Sequence, residues 1–409
     1  MRHRLEDERG WALMTAILFM AIMLGTVLSV ARFVDGQTKL GADSRKRETA
    51  FNMGEAALNG QIFALSQQWP GAGAGTNTTL QYSTCTQVST GAKCPNAAAL
   101  ANLIASPDAS NATWQTVIRD NGGSSPNFYS DSLTLGQPAY DANNDKQLWV
   151  RATSTARGKT RTMVTLVRVE EQQEDLPHAA VIANRLNDSN SGNKTLINMT
   201  NSTGQNGFIG VRCSPLAGEA SACLGQPRPP APAPWPTSLV QTQLSPYDGH
   251  IQTAYPSGNL MTPAARERLR QRAIDDGFYY TSCPAALPTT ATVIWIDTGN
   301  CQFQGTDSTA AEMLILNHGT VEFLGNKDFS GVIYAINADN LSSNVVMLHG
   351  NGHVFGGILV EGNGTVDVGS SGNGGGVTGN LVFDDNAFKA VKSYGTAGMV
   401  QNTWREIKG

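Results

Sequence analysis

The sequence predicts an α+β chain. It has a long N-terminal transmembrane and amphipathic helix, a small antiparallel-sheet unit, and a C-terminal β-solenoid resembling a right-handed β-helix. A β-sandwich is the alternative for the last part. Three observations carry this reading: an uncharged apolar run at residues 11–31, an alternating hairpin pattern at 146–170, and glycine-led repeats after residue 325. The 409 residues allow two or three domains on a prior of about 100–200 residues each. Only 15% of residues are charged and the net charge is −4. A nucleic-acid partner requires a dense basic face, so none is expected.

The N-terminus decides the class. Residues 11–31 carry no charge, and at about 1.5 Å rise per residue a helix of that length spans a hydrocarbon core of about 30 Å. A secretory signal peptide is the alternative, with Ser29-Val30-Ala31 as its cleavage site. Its apolar region is usually about 7–15 residues, however, and here a helical pattern continues past Arg32. Phe51, Gly54, Leu58, Ile62 and Leu65 recur at steps of three and four and form one apolar stripe. Gln61, Gln67 and Gln68 lie off it, and Trp69-Pro70-Gly71 ends the helix. A helix over 11–69 is therefore expected, membrane-embedded in its first half and amphipathic in its second.

Basic residues flank the span on both sides, so the positive-inside rule does not orient it. The cysteines do. Six fall in close pairs, Cys85 with Cys94, Cys213 with Cys223 and Cys283 with Cys301. In loop-rich sequence such pairs suit disulfides outside the cytoplasm. Zinc fits less well, because no pair has the usual two- to four-residue gap.

The short charged segment 1–10 ends in Gly10 and is followed directly by the apolar helix. That arrangement is similar to the class III signal of type IV pilins. The stretch Ala50-Phe51-Asn52-Met53-Gly54-Glu55-Ala56-Ala57-Leu58 resembles the signature of the PilX N-terminal family of pilus assembly proteins. The resemblance covers roughly residues 8–66. It implies a leader over 1–10, cleavage by a prepilin peptidase between Gly10 and Trp11, and packing of the helix among other pilins. It also implies an inner-membrane assembly platform as partner, and a subunit that passes from the inner membrane to a surface pilus. Major pilins carry Glu at the fifth mature position, where it neutralises a neighbour's N-terminal amine. Here that position is Thr15, as in minor pilins and the tip pseudopilin of type II secretion.

Residues 72–175 read as the small α/β unit, with a short helix at 96–106 and a hairpin turning at Arg157-Gly158. In its second strand Met163, Val167 and Val169 share one face and Val164 and Leu166 the other, so both faces are expected to be covered. The preceding Asp141-Ala142-Asn143-Asn144-Asp145 puts oxygens of Asp141, Asn143 and Asp145 at alternate positions, the pattern of a Ca²⁺ loop. Lys146 stands where an EF-hand has glycine, and Asp/Asn clusters also make ordinary turns. Calcium is the only cofactor the sequence suggests.

Residues 177–289 begin a β region, interrupted by a proline-rich excursion at 225–236 and a helix at 262–274 with a solvated Arg/Glu face. Residues 290–385 hold the repeats and 386–409 a tail. The segment from Gly325 to Ile333 aligns with that from Gly350 to Ile358, and again with Gly372 to Leu381; Gly331, Gly356 and Gly379 correspond. An earlier copy is split, with Gly192-Asn193 and then Phe208-Ile209-Gly210-Val211. Such repeats predict stacked units with like residues in columns.

Glu322, Asp328, Glu361, Asp367, Asp384 and Asp385 are scattered along the repeats and read as solvated turn residues, not as an acid–base pair. His318, His349 and His353 match no metal motif. The expectation is a minor pilin or pilus assembly protein with no enzymatic activity. A type II secretion pseudopilin is the alternative, and a membrane-anchored carbohydrate-active solenoid enzyme the least favoured.

Overall fold

The structure, a computed structural model, describes residues 3–103, 112–123, 129, 136–188, 197–198, 207–213, 240–241, 251–253, 255–288, 293–304, 313–325, 328–349, 352–369 and 381–407. Helix α1 runs from His3–Gln67. From Leu13 to Leu40 its apolar side chains are exposed, and nothing among the described residues covers them. From Ala50 onward the same helix is half-buried. Met53, Ala57, Leu58, Ile62 and Leu65 lie in one core with strand residues, and Phe51 packs against its edge. At Gly54 the helix lies close against the sheet: a β-carbon there would lie 2.8 Å from Ser154 Oγ and 2.9 Å from Met163 Cε. One expectation is corrected here. Gln61 is 1% exposed, donating to the Lys93 carbonyl and accepting from the Thr116 hydroxyl. An apolar stripe cannot reveal a glutamine whose polar atoms are all satisfied inside.

The partner of α1 is a six-stranded antiparallel sheet. It begins with β1 (Cys85–Thr86), β2 (Thr113–Asp120), β3 (Gln147–Ala156) and β4 (Lys159–Gln173), and α2 (Ala97–Leu103) lies between β1 and β2. The β3–β4 turn places Arg157 at φ 46° and Gly158 at φ 79°, as a two-residue hairpin loop of the primed type requires. Met163, Val167 and Val169 join the core with α1, and Val164 and Leu166 are buried as well.

Among the described residues the second sheet has 14 strands, and every pairing in it is parallel. Its strands are β5 (Val181–Ala183), β6 (Arg185–Asp188), β7 (Ile197–Asn198), β8 (Ile209–Val211), β9 (Val240–Gln241), β10 (Ile251–Thr253), β11 (Tyr279–Tyr280), β12 (Val293–Gln304), β13 (Met313–Leu324), β14 (Phe329–Ala335), β15 (Asn344–Leu348), β16 (Val354–Val360), β17 (Thr365–Val368) and β18 (Leu381–Phe383). One column of paired residues reads Ile294, Leu314, Ile333, Ile358, Val181, Ile209. Such a column buries one aliphatic side chain per rung without changing the backbone.

The first two repeat copies pair in the register of their alignment, Gly331 with Gly356 and Ile333 with Ile358. Later copies do not. Leu381 pairs with Val354, although the alignment put it opposite Ile358. Ile358 instead pairs with Val181 of β5, which occupies that edge. Gly210 likewise falls in the column of Leu359, through Ile182, and not in that of Gly356. Gly379 and Gly192-Asn193 lie outside the described residues.

Stacking does not follow chain order. Strands β5, β6 and β7 lie on β16, β17 and β18, so the region's first strands meet its last. From β10 the chain passes through α3 (Pro263–Asp276) to β11 and β12 at the other end of the order. Of residues 386–409, read as a tail, those at 386–407 are built into the fold. After α4 (Asp385–Lys389), β19 (Lys392–Met399) and β20 (Arg405–Ile407) both pair antiparallel with β4. The Glu174 amide donates to the Val391 carbonyl. The whole parallel sheet is thus an insertion between two neighbouring strands of the antiparallel one.

Helix α3 locks the insertion in place. Thr262 caps it, accepting from the Ala265 amide, and Gly277 ends it at φ 83°. Its arginine face is not solvated as expected. Arg266 pairs with Glu361 at 2.5 Å, Arg268 with Glu174 at 2.7 Å, and Arg272 with Glu171 at 3.1 Å. Arg272 also donates to the Lys392 carbonyl at 2.6 Å and lies over the Tyr394 ring. One helix therefore binds the antiparallel sheet through β4 and β19, and the parallel sheet at the end of β16.

Candidate functional site

The N-terminal half of α1 is one candidate. Its helix passes unbroken through the Gly10–Trp11 bond. Trp11 is 76% exposed. Thr15 donates its hydroxyl to the Trp11 carbonyl at 3.0 Å, so at this position the chain offers a dipole already engaged with its own helix and no charge. Of the other signature residues, Glu55 faces solvent, Ala56 is half-buried, and Ala57 and Leu58 are fully inside. The signature therefore marks the docking face of the helix on its own sheet.

The second candidate is an acidic corner where α1 ends. Trp69, buried just past the helix, donates Nε1 to Asp141 Oδ2 at 3.3 Å, and the Asp141 amide donates to the Pro70 carbonyl. The Asp141 carboxylate also accepts from the amides of Asp145 and Lys146 at 3.1 and 2.8 Å. Lys146 adopts φ 65°, the left-handed conformation expected of glycine there, and turns its ammonium to Glu171 at 2.6 Å. Asn143 accepts from the Asp145 amide and donates to Asn121. Asp145 receives the Asn121 amide nitrogen at 2.6 Å.

A residue that the sequence did not single out completes the group. Asp120, at the end of β2, joins Asp141 and Asp145 with carboxylate oxygens all within 4.8 Å of one another. Burial pushes the Asp141 carboxyl up to about 7, against its bonds from Lys146 and Trp69; the charges of Asp145 and Asp120 add to the rise. Burial raises Asp120 too, the Asn121 amide opposes it and the Asp145 charge adds to it.

Disulfides join Cys85 to Cys94 and Cys283 to Cys301. Cys213 is also disulfide-bonded, and Cys223 lies outside the described residues. The acids of the parallel sheet are less solvated than expected. Glu361, Asp367 and Asp385 are buried, because Arg266 and the Tyr334 hydroxyl hold Glu361, Asn344 holds Asp367, and His178 with Lys389 holds Asp385. His318 pairs with Asp339, His349 with Glu322, and His353 with Asp328. These are bridges within the sheet.

The chain matches no protein-family profile and no curated protein. Among solved structures it is similar to the competence-associated pilin ComZ from Thermus thermophilus. The identity is 9%, over 72% of this chain and 84% of that one, with a TM-score of 0.18. A superposition that weak does not bear on the fold.

Proposed function

We propose that this chain is a pilin-like subunit, a minor pilin or pilus assembly protein, with no enzymatic role. A prepilin peptidase would free Trp11, the helix over residues 11–31 would hold the protein in the inner membrane, and other pilins would then take it into a filament. The parallel sheet would wind as a β-solenoid and be carried outside the cell. The observation that supports this reading is the division of α1. One continuous helix is uncovered and apolar in its first half, and is packed by its second half against its own sheet. A helix of about 20 apolar residues suits a bilayer, and the same face suits neighbouring apolar helices once it leaves.

Thr15 supports a low-copy place at a filament tip. A subunit with no carboxylate at this position cannot neutralise the amine of a neighbour above it, and an unpaired buried charge is costly. N-terminal analysis of the membrane-extracted protein should read Trp11 first, and immunogold should mark filament ends. A chain retaining Met1 in cells with active prepilin peptidase, or one starting at Arg32, would sink the proposal. Long filaments of this protein alone would remove the tip assignment.

A further inference from the structure

The geometry points to a calcium site formed by Asp120, Asp141 and Asp145, which pins the end of the stalk helix to the antiparallel sheet. Three carboxylates from two segments converge, and each offers an oxygen within 4.8 Å of the others. A calcium ion bonds oxygen at about 2.3–2.6 Å, so one ion placed among them reaches all three. The second observation is Asp120 itself. It is 3% exposed, and its Oδ1 has no hydrogen-bond partner. The Asn121 and Gly122 amides serve the carboxylate as a whole, but a buried oxygen left without a donor is expensive, and a cation would satisfy it. The nearest lysine by sequence, Lys146, is committed to Glu171.

The set is all oxygen, which selects a hard cation over zinc or copper. Calcium fits better than magnesium, because magnesium demands a near-ideal octahedron and keeps most of its water. Asp141 carries the effect to the stalk. The same side chain that would hold the ion accepts from Trp69, and its amide bonds Pro70. Calcium would thus tie α1, the end of β2 and the loop before β3 into one unit.

The test uses the full chain in detergent, stripped with EGTA. Millimolar Ca²⁺ should raise the unfolding temperature by about 2–4 °C, as ligand linkage for a chain this size gives. Asp120→Asn, which keeps size and shape, should abolish that rise. Asp145→Asn, nearer the surface, is the second variant should the first not fold. Terbium, a luminescent stand-in for calcium, should emit on tryptophan excitation, and Trp69→Phe should remove most of that emission. No shift in the wild type, an equal shift in both aspartate variants, an equal shift with Mg²⁺, or emission indifferent to Trp69→Phe would each overturn the site.

Discussion

Asp275 is 1% exposed near the end of α3, and its carboxyl is held well above the usual carboxylate range. Burial is the main cause, opposed by the bond from Gln271 and by Lys93, and aided by the Asp276 charge. The folded state therefore holds a proton that the unfolded chain releases near pH 4. The sign follows: stability from this group is fully present below that value and is lost as pH rises toward the folded pKa. Asp275→Asn keeps an oxygen for the 2.8 Å bond from Gln271 and removes the titration. Thermal melts should show the variant gaining on the wild type as pH rises above about 4; a gap constant with pH would refute the assignment. Single residues of this kind were the least legible in the sequence. Asp120 and Gln61 each owe their role to partners brought near only by the fold, and nothing beside them in the chain marks either.

Elements were more legible where apolar periodicity defines them. The stripe from Phe51 to Leu65 marked the face of α1 that docks, and the alternation around Arg157-Gly158 marked the β3–β4 hairpin. Helix α3 shows the limit. Its cap and its proline were readable, but periodicity reports only apolar burial, so Arg272, buried by ion pairing, and its half-buried neighbours read as solvated. Arg272→Ala would leave the buried Asp276 without its guanidinium, and Glu171 with only Lys146 and Lys392. A loss of about 3–5 kcal/mol is expected in denaturant unfolding, as for other broken buried pairs. Arg270→Ala is the control. Its contact with Glu267 is exposed, at 3.3 Å, and should matter by less than about 1 kcal/mol. Equal losses would mean that α3 is not a clamp.

For the molecule as a whole, the N-terminus indicated a long apolar helix ahead of a β region, and the first two repeats revealed their own register. The order of stacking was not readable. Nothing local tells β5 that it will lie on β16, or β19 that it will lie beside β4, because long-range parallel and closing pairs leave no mark on neighbouring residues. The insertion between β4 and β19 also settles how the molecule bears tension. A pull on the parallel sheet arrives at the ends of both strands together, while α1 is packed along the antiparallel sheet against β3, β4 and β19. Ladder bonds lie across the strands, so those joining β3 to β4 are strained side by side and not one after another. Optical-tweezer pulling between α1 and the inserted region should give a single high-force rupture; stepwise yielding at low force would show that the sheet peels open from its edge.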